Sequence, residues 1–169
     1  MTAPEPAPAL TRPVLEQQGF TGFVTFAELP AAPVPDQGGV YVVVRTGDQA
    51  PVFLPHSTAG WRKQRDPAVG VERLAAKWVP SAEVVYIGKA AAGATGRHGL
   101  RGRLGQYRAH GLGGTSHHGG RYVWQLADSA ALLVAWRTTP GEDPRAAEKA
   151  LLARFRVAYG VLPFANLKG

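Results

Sequence analysis

Runs of apolar residues, separated by polar and glycine-rich stretches, divide the chain into short strands and helices. β-Branched and aromatic runs predict strands at 39–45, 83–88, 122–126 and 132–138, with a short partner strand at 51–54. Apolar residues at helical spacing predict helices at 69–79, 100–110 and 144–159. The pattern therefore predicts an α+β fold, in which a small, mainly antiparallel sheet of three or four strands is flanked by about three helices.

The ends of these helices are marked by residues with known capping roles. Asp143 and Pro144 indicate a helix start, because aspartate accepts backbone hydrogen bonds at the N-cap and proline fits the first helical position. Gly160 is typical of a helix end, and Pro80 cannot continue a helix. The helix at 144–159 is thus delimited on both sides.

The segment before residue 19 shows neither the helical nor the strand periodicity of apolar residues. Residues 1–18 are rich in proline and alanine, and we interpret them as a disordered tail. The remaining residues, 19–169, have the size of a single domain. We expect residues 19–29 to pack on that domain, and residues 161–169 to form a short extended segment.

Composition narrows the class of protein. Apolar residues make up 45% of the 169-residue chain, which is enough for a sizeable core. Cysteine is absent, which excludes a disulfide scaffold, a cysteine-ligated metal site and a thiol nucleophile. No apolar run approaches the roughly 18 residues needed to span a bilayer, and the N-terminus lacks signal-peptide features. We therefore expect a cytoplasmic protein with no membrane partner.

The charge of the chain is strongly positive and unevenly placed. Lysine and arginine number 19 against 12 aspartates and glutamates, so the formal net charge is +7. The stretch 84–127 contains no acidic residue, yet it carries Lys89, Arg97, Arg101, Arg103, Arg108 and Arg121. Such a stretch favours contact with nucleic-acid phosphates, and the alternative is a solvated surface with a compositional bias.

Two tripeptides lie in the first and second of the long predicted strands. Gly39-Val40-Tyr41 opens the strand at 39–45, and Tyr86-Ile87-Gly88 closes the strand at 83–88, directly before Lys89. Each tripeptide alone occurs in many strands. The pair becomes specific only together with the residues that follow it in order.

The later helices supply the rest of the ordered set. Arg103 and Tyr107 lie one turn apart on one helix face, and Glu148 begins a Glu-x-x-Leu-Leu motif on the next helix. Asn166 ends a Pro-x-x-Asn motif near the C-terminus. This set resembles the GIY-YIG nuclease superfamily, with valine for isoleucine in the first tripeptide, over roughly residues 38–168.

The resemblance implies a metal-dependent endonuclease that hydrolyses phosphodiester bonds in DNA. It implies that Glu148 holds Mg²⁺ or Mn²⁺, and that Arg103 binds the scissile phosphate. It implies a tyrosine general base but leaves open whether this is Tyr41 or Tyr86. A phenol has a pKa of about 10, so it needs cationic neighbours to ionise near neutral pH. The rest of the implied site comprises Lys89, Tyr107 and Asn166, with Gly39 and Gly88 as structural glycines.

Simpler interpretations exist for several of these residues. Glu148 could be an exposed helical glutamate, either tyrosine a packed strand residue, and Asn166 a cap on the final turn. A non-cleaving nucleic-acid-binding module of the same fold is the alternative function. RNA instead of DNA, the cleavage specificity, the biological pathway and the oligomeric state are left open.

The chain departs from the family pattern between the two tripeptides, where an insertion occupies about residues 46–82. It contains one tryptophan and three cationic residues close together in sequence, and we expect this cluster to contact DNA. The full predicted nucleic-acid-binding set comprises Trp61, Arg62, Lys63, Arg65, Arg97, Arg101 and Arg108. The roles of His110, His117 and His118 are left open. The adjacent pair His117-His118 does not predict a zinc site, because no third ligand lies at a recognisable spacing.

Overall fold

Four strands form a single antiparallel sheet in this computed structural model, which describes residues 2–3, 8–92, 99–115 and 119–168. The strands are β1 (Thr21–Thr25), β2 (Gly39–Val44), β3 (Val84–Ala90) and β4 (Leu133–Thr138). Their order in the sheet is β1-β4-β2-β3, so β3 is an edge strand. The predicted α+β class is therefore confirmed.

The helices lie on both faces of this sheet. They are α1 (Arg12–Gln17), α2 (Val71–Lys77), α3 (Leu100–Gly111) and α4 (Pro144–Tyr159), with short 3₁₀ turns at Phe26–Ala31, Arg121–Gln125 and Ser129–Ala131. All six residues of β2 are buried, because side chains on one face pack in the cluster that includes α3 and those on the other in the cluster that includes α4. Among the described residues, no helix is long and apolar enough to cross a membrane.

The predicted bounds of α4 agree with the structure because its caps are strong local signals. The Asp143 side chain accepts the backbone N–H of Arg145 at 3.1 Å, and Pro144 follows it at the first helical position. Gly160 ends the helix in the left-handed conformation, with φ of 76°.

The strand prediction for 122–126 is wrong. Arg121–Gln125 forms a 3₁₀ helix that begins after Gly120, whose φ is 72°. The predicted strand at 51–54 is reduced to one bridge between Phe53 and Leu126. The side chain of Gln125 forms hydrogen bonds with the backbone of Leu54 and Val69. The apolar residues at 122–124 are therefore buried without the hydrogen bonds of a β-sheet. Apolar content alone cannot distinguish these two ways of burying a short run.

The interpretation of residues 1–18 as a disordered tail is wrong for the part that the structure describes from residue 8 onward. Residues 12–17 form α1, and Leu10 and Leu15 are buried in the core cluster shared with α4. The guanidinium of Arg154 donates to the carbonyl of Pro8 at 2.8 Å. Two leucines are sufficient to anchor a segment whose overall composition is typical of disorder.

Candidate active site

A cavity of about 300 Å³ opens near the end of edge strand β3. Residues from four different elements line it: β2, β3, α3 and α4. Its lining comprises Tyr41, Tyr86, Lys89, Ala90, Ala91, Arg103, Gln106 and Glu148. Five of the predicted catalytic residues are therefore brought together in one place, although up to about a hundred residues separate them in sequence.

The position of Tyr41 depends on the glycine opposite it. Tyr41 and Gly88 are direct partners across the β2–β3 pair, and a Cβ added at Gly88 would overlap the Tyr41 ring. Gly39 is equally constrained, because a Cβ there would overlap the carbonyl oxygen of Arg137 on β4. Both glycines therefore allow the close approach that the sequence pattern predicted for them.

Three tyrosines pack together beneath the cavity. The ring centroids of Tyr41 and Tyr86 are 6.0 Å apart, and the Tyr107 ring lies 6.2 Å from Tyr41 and 5.4 Å from Tyr86. The Tyr107 hydroxyl donates to the carbonyl of Gly120 at 2.7 Å, and Tyr107 does not line the cavity. Tyr107 thus supports the two other rings by packing.

The tyrosines at the cavity are difficult to ionise. Burial raises the pKa of Tyr41 well above its ordinary value, Tyr86 adds to the rise, and Arg103 opposes it. Burial also raises the pKa of Tyr86, while the Tyr41 hydroxyl and Arg103 lower it and Glu148 raises it. Both phenols are therefore protonated at neutral pH in the free protein, because the cations do not overcome burial.

Lys89 and Glu148 form an ion pair at the cavity. Lys89 Nζ lies 3.1 Å from Glu148 Oε1, and the side chains are 43% and 17% exposed. The carboxylate of Glu148 is thus sheltered but reachable from solvent. No cluster of three or more potential metal-ligating side chains occurs within the described ranges. A metal at this cavity would rest on one carboxylate, which suits Mg²⁺ because this ion retains several water ligands.

Arg103 approaches the cavity from α3. Its Nη1 donates to Gln106 Oε1 at 3.3 Å, one helical turn further along. Gln106 was not among the predicted site residues, although its spacing of three from Arg103 places it on the same helix face. The amide therefore orients the guanidinium towards the cavity that both side chains line.

Asn166 stabilises the exposed edge of β3. Its Oδ1 accepts the N–H of Ile87 and its Nδ2 donates to the C=O of Ile87, both at 2.9 Å. The backbone N–H of Ala165 donates to the Val85 carbonyl at 2.8 Å. The C-terminal segment thus takes the place of a neighbouring strand, directly beside Tyr86. A cap on the final turn, the simpler interpretation of Asn166, would not pair its side chain with the backbone of Ile87 on β3.

Replacing Asn166 by alanine is expected to destabilise the protein by about 1–3 kcal/mol, because both backbone groups of Ile87 lose their partner in a buried position. Urea unfolding monitored by circular dichroism measures this change. Gln49→Ala removes an exposed amide and is the matched control, with an expected change within about 0.5 kcal/mol. Equal stabilities of the two variants would contradict the assigned role.

The predicted nucleic-acid-binding residues occupy two places on the surface. Arg101 and Arg108 line a cavity on the side of α3 away from Arg103, where Arg101 donates to the Val34 carbonyl at 3.1 Å. The second place is the insertion, where the cluster of one tryptophan and three cations is exposed, with Trp61, Arg62, Lys63 and Arg65 as its members. Arg97, His117 and His118 lie outside the described residues.

His110 has a structural position. It is fully buried near the end of α3, and its Nε2 lies 3.3 Å from the carbonyl oxygen of Gly60. Burial lowers its pKa, and the charges of Arg121 and Arg62 lower it further, whereas the contact with Gly60 opposes this. His110 thus ties α3 to the insertion and does not line the cavity.

Comparison with protein-family models, with curated proteins and with solved structures found no match to this chain. No relative therefore contributes to the functional argument. The argument depends on the ordered motifs of the sequence and on the geometry of the cavity that gathers them.

Proposed function

We propose that this protein is a metal-dependent endonuclease of the GIY-YIG type that hydrolyses phosphodiester bonds in DNA. One observation carries the proposal: two tyrosines, Lys89, Arg103 and Glu148 line a single cavity. Together they offer a phosphate-binding cation, a carboxylate for a metal and hydroxyls for proton transfer. Phosphodiester hydrolysis requires these three functions.

Cationic side chains would hold the scissile phosphate in the cavity. The planar guanidinium of Arg103 can donate two parallel hydrogen bonds to phosphate oxygens and offset their growing negative charge. Lys89, which also lines the cavity and pairs with Glu148, adds a second positive charge. The volume of about 300 Å³ admits a phosphate group with its water, and not a whole nucleotide pair.

The carboxylate of Glu148 is the group that would hold the metal. Its Oε1 contacts Lys89. Its side chain is 17% exposed and lines the cavity, so a hydrated ion in the cavity can reach the carboxylate. A bound Mg²⁺ would supply Lewis-acid stabilisation of the charge that develops on the phosphate. Lys89 would keep the carboxylate in place before the substrate arrives.

Tyr86 is the better candidate for the general base. It is slightly exposed at the cavity, whereas Tyr41 is fully buried. The Tyr41 hydroxyl and the charge of Arg103 both favour the ionised form of Tyr86, although burial keeps its pKa above its ordinary value. The ionised form of Tyr86, favoured by the Tyr41 hydroxyl, would accept a proton from the attacking water and so become a neutral phenol.

Replacing Tyr86 by phenylalanine is expected to lower the cleavage rate by about 10²-fold at constant metal concentration. Since the pKa of Tyr86 is raised above its ordinary value, its ionised fraction grows with pH. The parent rate should therefore rise about tenfold per pH unit from pH 7 to about 9, and Tyr86→Phe should lose this slope. Single-turnover cleavage of a labelled duplex measures both quantities.

Two further variants complete this comparison. Tyr41→Phe is expected to retain the slope with a smaller loss of rate, and Tyr159→Phe, at the end of α4, is expected to match the parent. If Tyr41→Phe loses the slope and Tyr86→Phe keeps it, the assignment of the two tyrosines is reversed.

The direct test of the proposed function is cleavage of supercoiled plasmid by the purified protein. We expect nicked or linear product with Mg²⁺ or Mn²⁺, and none with EDTA. A protein that binds the plasmid with strong salt dependence yet never cleaves it, across both metals and several DNA forms, would be the non-cleaving alternative.

A further inference from the structure

The insertion contains an exposed hairpin, which we call the 61–65 hairpin (Trp61–Arg65). Arg62 and Arg65 form a β-bridge in which each backbone N–H donates to the other's carbonyl, at 3.2 and 2.9 Å. Lys63 and Gln64 between them have φ of 48° and 62°. Two consecutive residues with positive φ form the type I′ turn of a two-residue hairpin.

The turn is unusual because neither central residue is glycine. L-residues adopt positive φ only at a cost, and asparagine-glycine is the usual pair at these positions. Lys63 and Gln64 nevertheless adopt this left-handed backbone conformation, and both side chains are exposed to solvent. The side chains of the hairpin are all exposed, and Trp61 is 59% exposed, which is large for an aromatic residue.

Hydrogen bonds join the start of the hairpin to α3, the helix that carries Arg103. Gly60, the residue before it, donates its N–H to the His110 carbonyl at 3.1 Å, and its own carbonyl contacts His110 Nε2. A Cβ at Gly60 would overlap the carbonyls of Gly113 and Gly114, so the approach is tight. Behind the hairpin, the Gln125 side chain pairs with both backbone groups of Val69.

The charge around the hairpin suits a polyanion. In the described ranges, none of its three cations forms an ion pair, and the nearest acid in sequence, Asp66, accepts the backbone N–H of Ala68. The charges of Arg62, in the hairpin, and of Arg121, in the acid-free stretch, both lower the pKa of His110, so both cations lie near this residue.

Helix α3 sets the spacing between Arg103 and His110, the residue that anchors the hairpin. Arg103 and His110 are seven residues apart and lie on the same helix face, about 10 Å along the axis at 1.5 Å per residue. That distance corresponds to about three nucleotide steps of 3.4 Å. The residue that anchors the hairpin, His110, is thus a few nucleotide steps from Arg103 along α3.

We propose that the 61–65 hairpin binds an unpaired base at a junction between duplex and single-stranded DNA, with Trp61 stacked on that base and the cations on the flanking phosphates. An indole stacks on any base without reading its edge, and a base already outside the stack costs least to engage. The hairpin would direct the cavity to DNA with unpaired bases, such as overhangs, branches or mismatches, instead of to a sequence. This inference rests on the proposed function, because it takes DNA as the substrate of the cavity.

The test uses the full chain with Glu148→Gln, so that binding is measured without cleavage. The probes are a blunt duplex and the same duplex with a single-stranded extension, with 2-aminopurine at the first unpaired position. We expect tighter binding to the extended duplex and a change in 2-aminopurine fluorescence. Trp61→Ala should reduce the preference about tenfold and abolish the fluorescence change, whereas Trp61→Phe should retain part of both.

Two substitutions at one position separate the shape of the hairpin from its contact residues. Gln64→Pro fixes φ near −65° and breaks the turn while leaving the tryptophan and all three cations in the chain. We expect it to behave like Trp61→Ala. Gln64→Gly suits positive φ and is the matched control, with the preference kept or increased.

Equal binding of both probes by the parent, or an undiminished preference in Trp61→Ala, would overturn the proposal. These results are distinguishable from failure of the nuclease assignment. A chain that cleaves plasmid but shows no Trp61-dependent preference refutes the hairpin proposal alone. A chain that never cleaves yet retains the preference supports the hairpin proposal and refutes the catalytic one.

Discussion

Glu148→Gln is expected to lower single-turnover cleavage of duplex DNA by at least about 10³-fold, a loss of several kcal/mol of transition-state stabilisation. The substitution preserves the length of the side chain and its place on α4, but it removes the only carboxylate that lines the cavity within the described residues. A metal held as proposed would lose its charged ligand, and Lys89 loses its ionic partner at 3.1 Å. Raising Mg²⁺ should not restore the parent rate.

The control for this experiment is Glu142→Gln. Glu142 is exposed just before α4 and lines a different cavity, so its loss changes the net charge equally without touching the site. We expect its rate to stay within about twofold of the parent. If the two variants are equally active, Glu148 is a surface glutamate and the metal site must be sought elsewhere.

Arg103→Ala is expected to lower the cleavage rate by about 10³-fold, because the phosphate loses the donor that offsets its developing charge. Arg103 is half-buried and donates to Gln106 Oε1 at 3.3 Å, and it also interacts with the buried Tyr41, so the stability of the variant is measured alongside its rate. Arg103 also lowers the pKa of Tyr86, so its removal should shift the rising part of the pH profile to higher pH. Rate measurements from pH 7 upward test both effects.

Arg103→Lys separates charge from geometry. Lysine retains the positive charge but lacks the planar fork of the guanidinium, so we expect a rate between those of the parent and Arg103→Ala. Arg156→Ala removes an exposed arginine from the last turn of α4 and should leave cleavage unchanged. A full rate in Arg103→Lys would show that a point charge is sufficient at this position.

The location of the candidate site could be predicted because its residues follow local rules. Tyr86 and Lys89 flank a glycine that ends a buried run, and Arg103 lies on a helix whose apolar spacing is recognisable. Asp143 and Pro144 fix the start of α4 and therefore the turn on which Glu148 lies. These signals are properties of short segments, and a sequence displays them directly.

The features that could not be predicted depend on distant partners. The 3₁₀ helix at Arg121–Gln125 is held by Gln125, whose amide pairs with backbone far away in sequence. The order of α1 and of the described residues just before it depends on Leu10 and Leu15, which pack in the core cluster that includes α4. The raised pKa of Tyr86 reflects burial, which no local pattern reveals. Tertiary packing overrides local preference in each of these cases.

The strand order has a consequence for how the chain folds. Thr21 pairs with Trp136, and Gly39 with Thr138, so two of the three strand pairings close long loops, while the third joins strands on either side of the insertion. Loop-closure entropy must be overcome before such contacts contribute, and sheets of this kind form slowly compared with helical bundles. Tyr41 and Tyr86 meet only when β2 pairs with β3 across the insertion, and Glu148 joins them only when α4 packs on these two strands. Catalytic competence should therefore appear with the last cooperative step of folding, and no early intermediate should possess it.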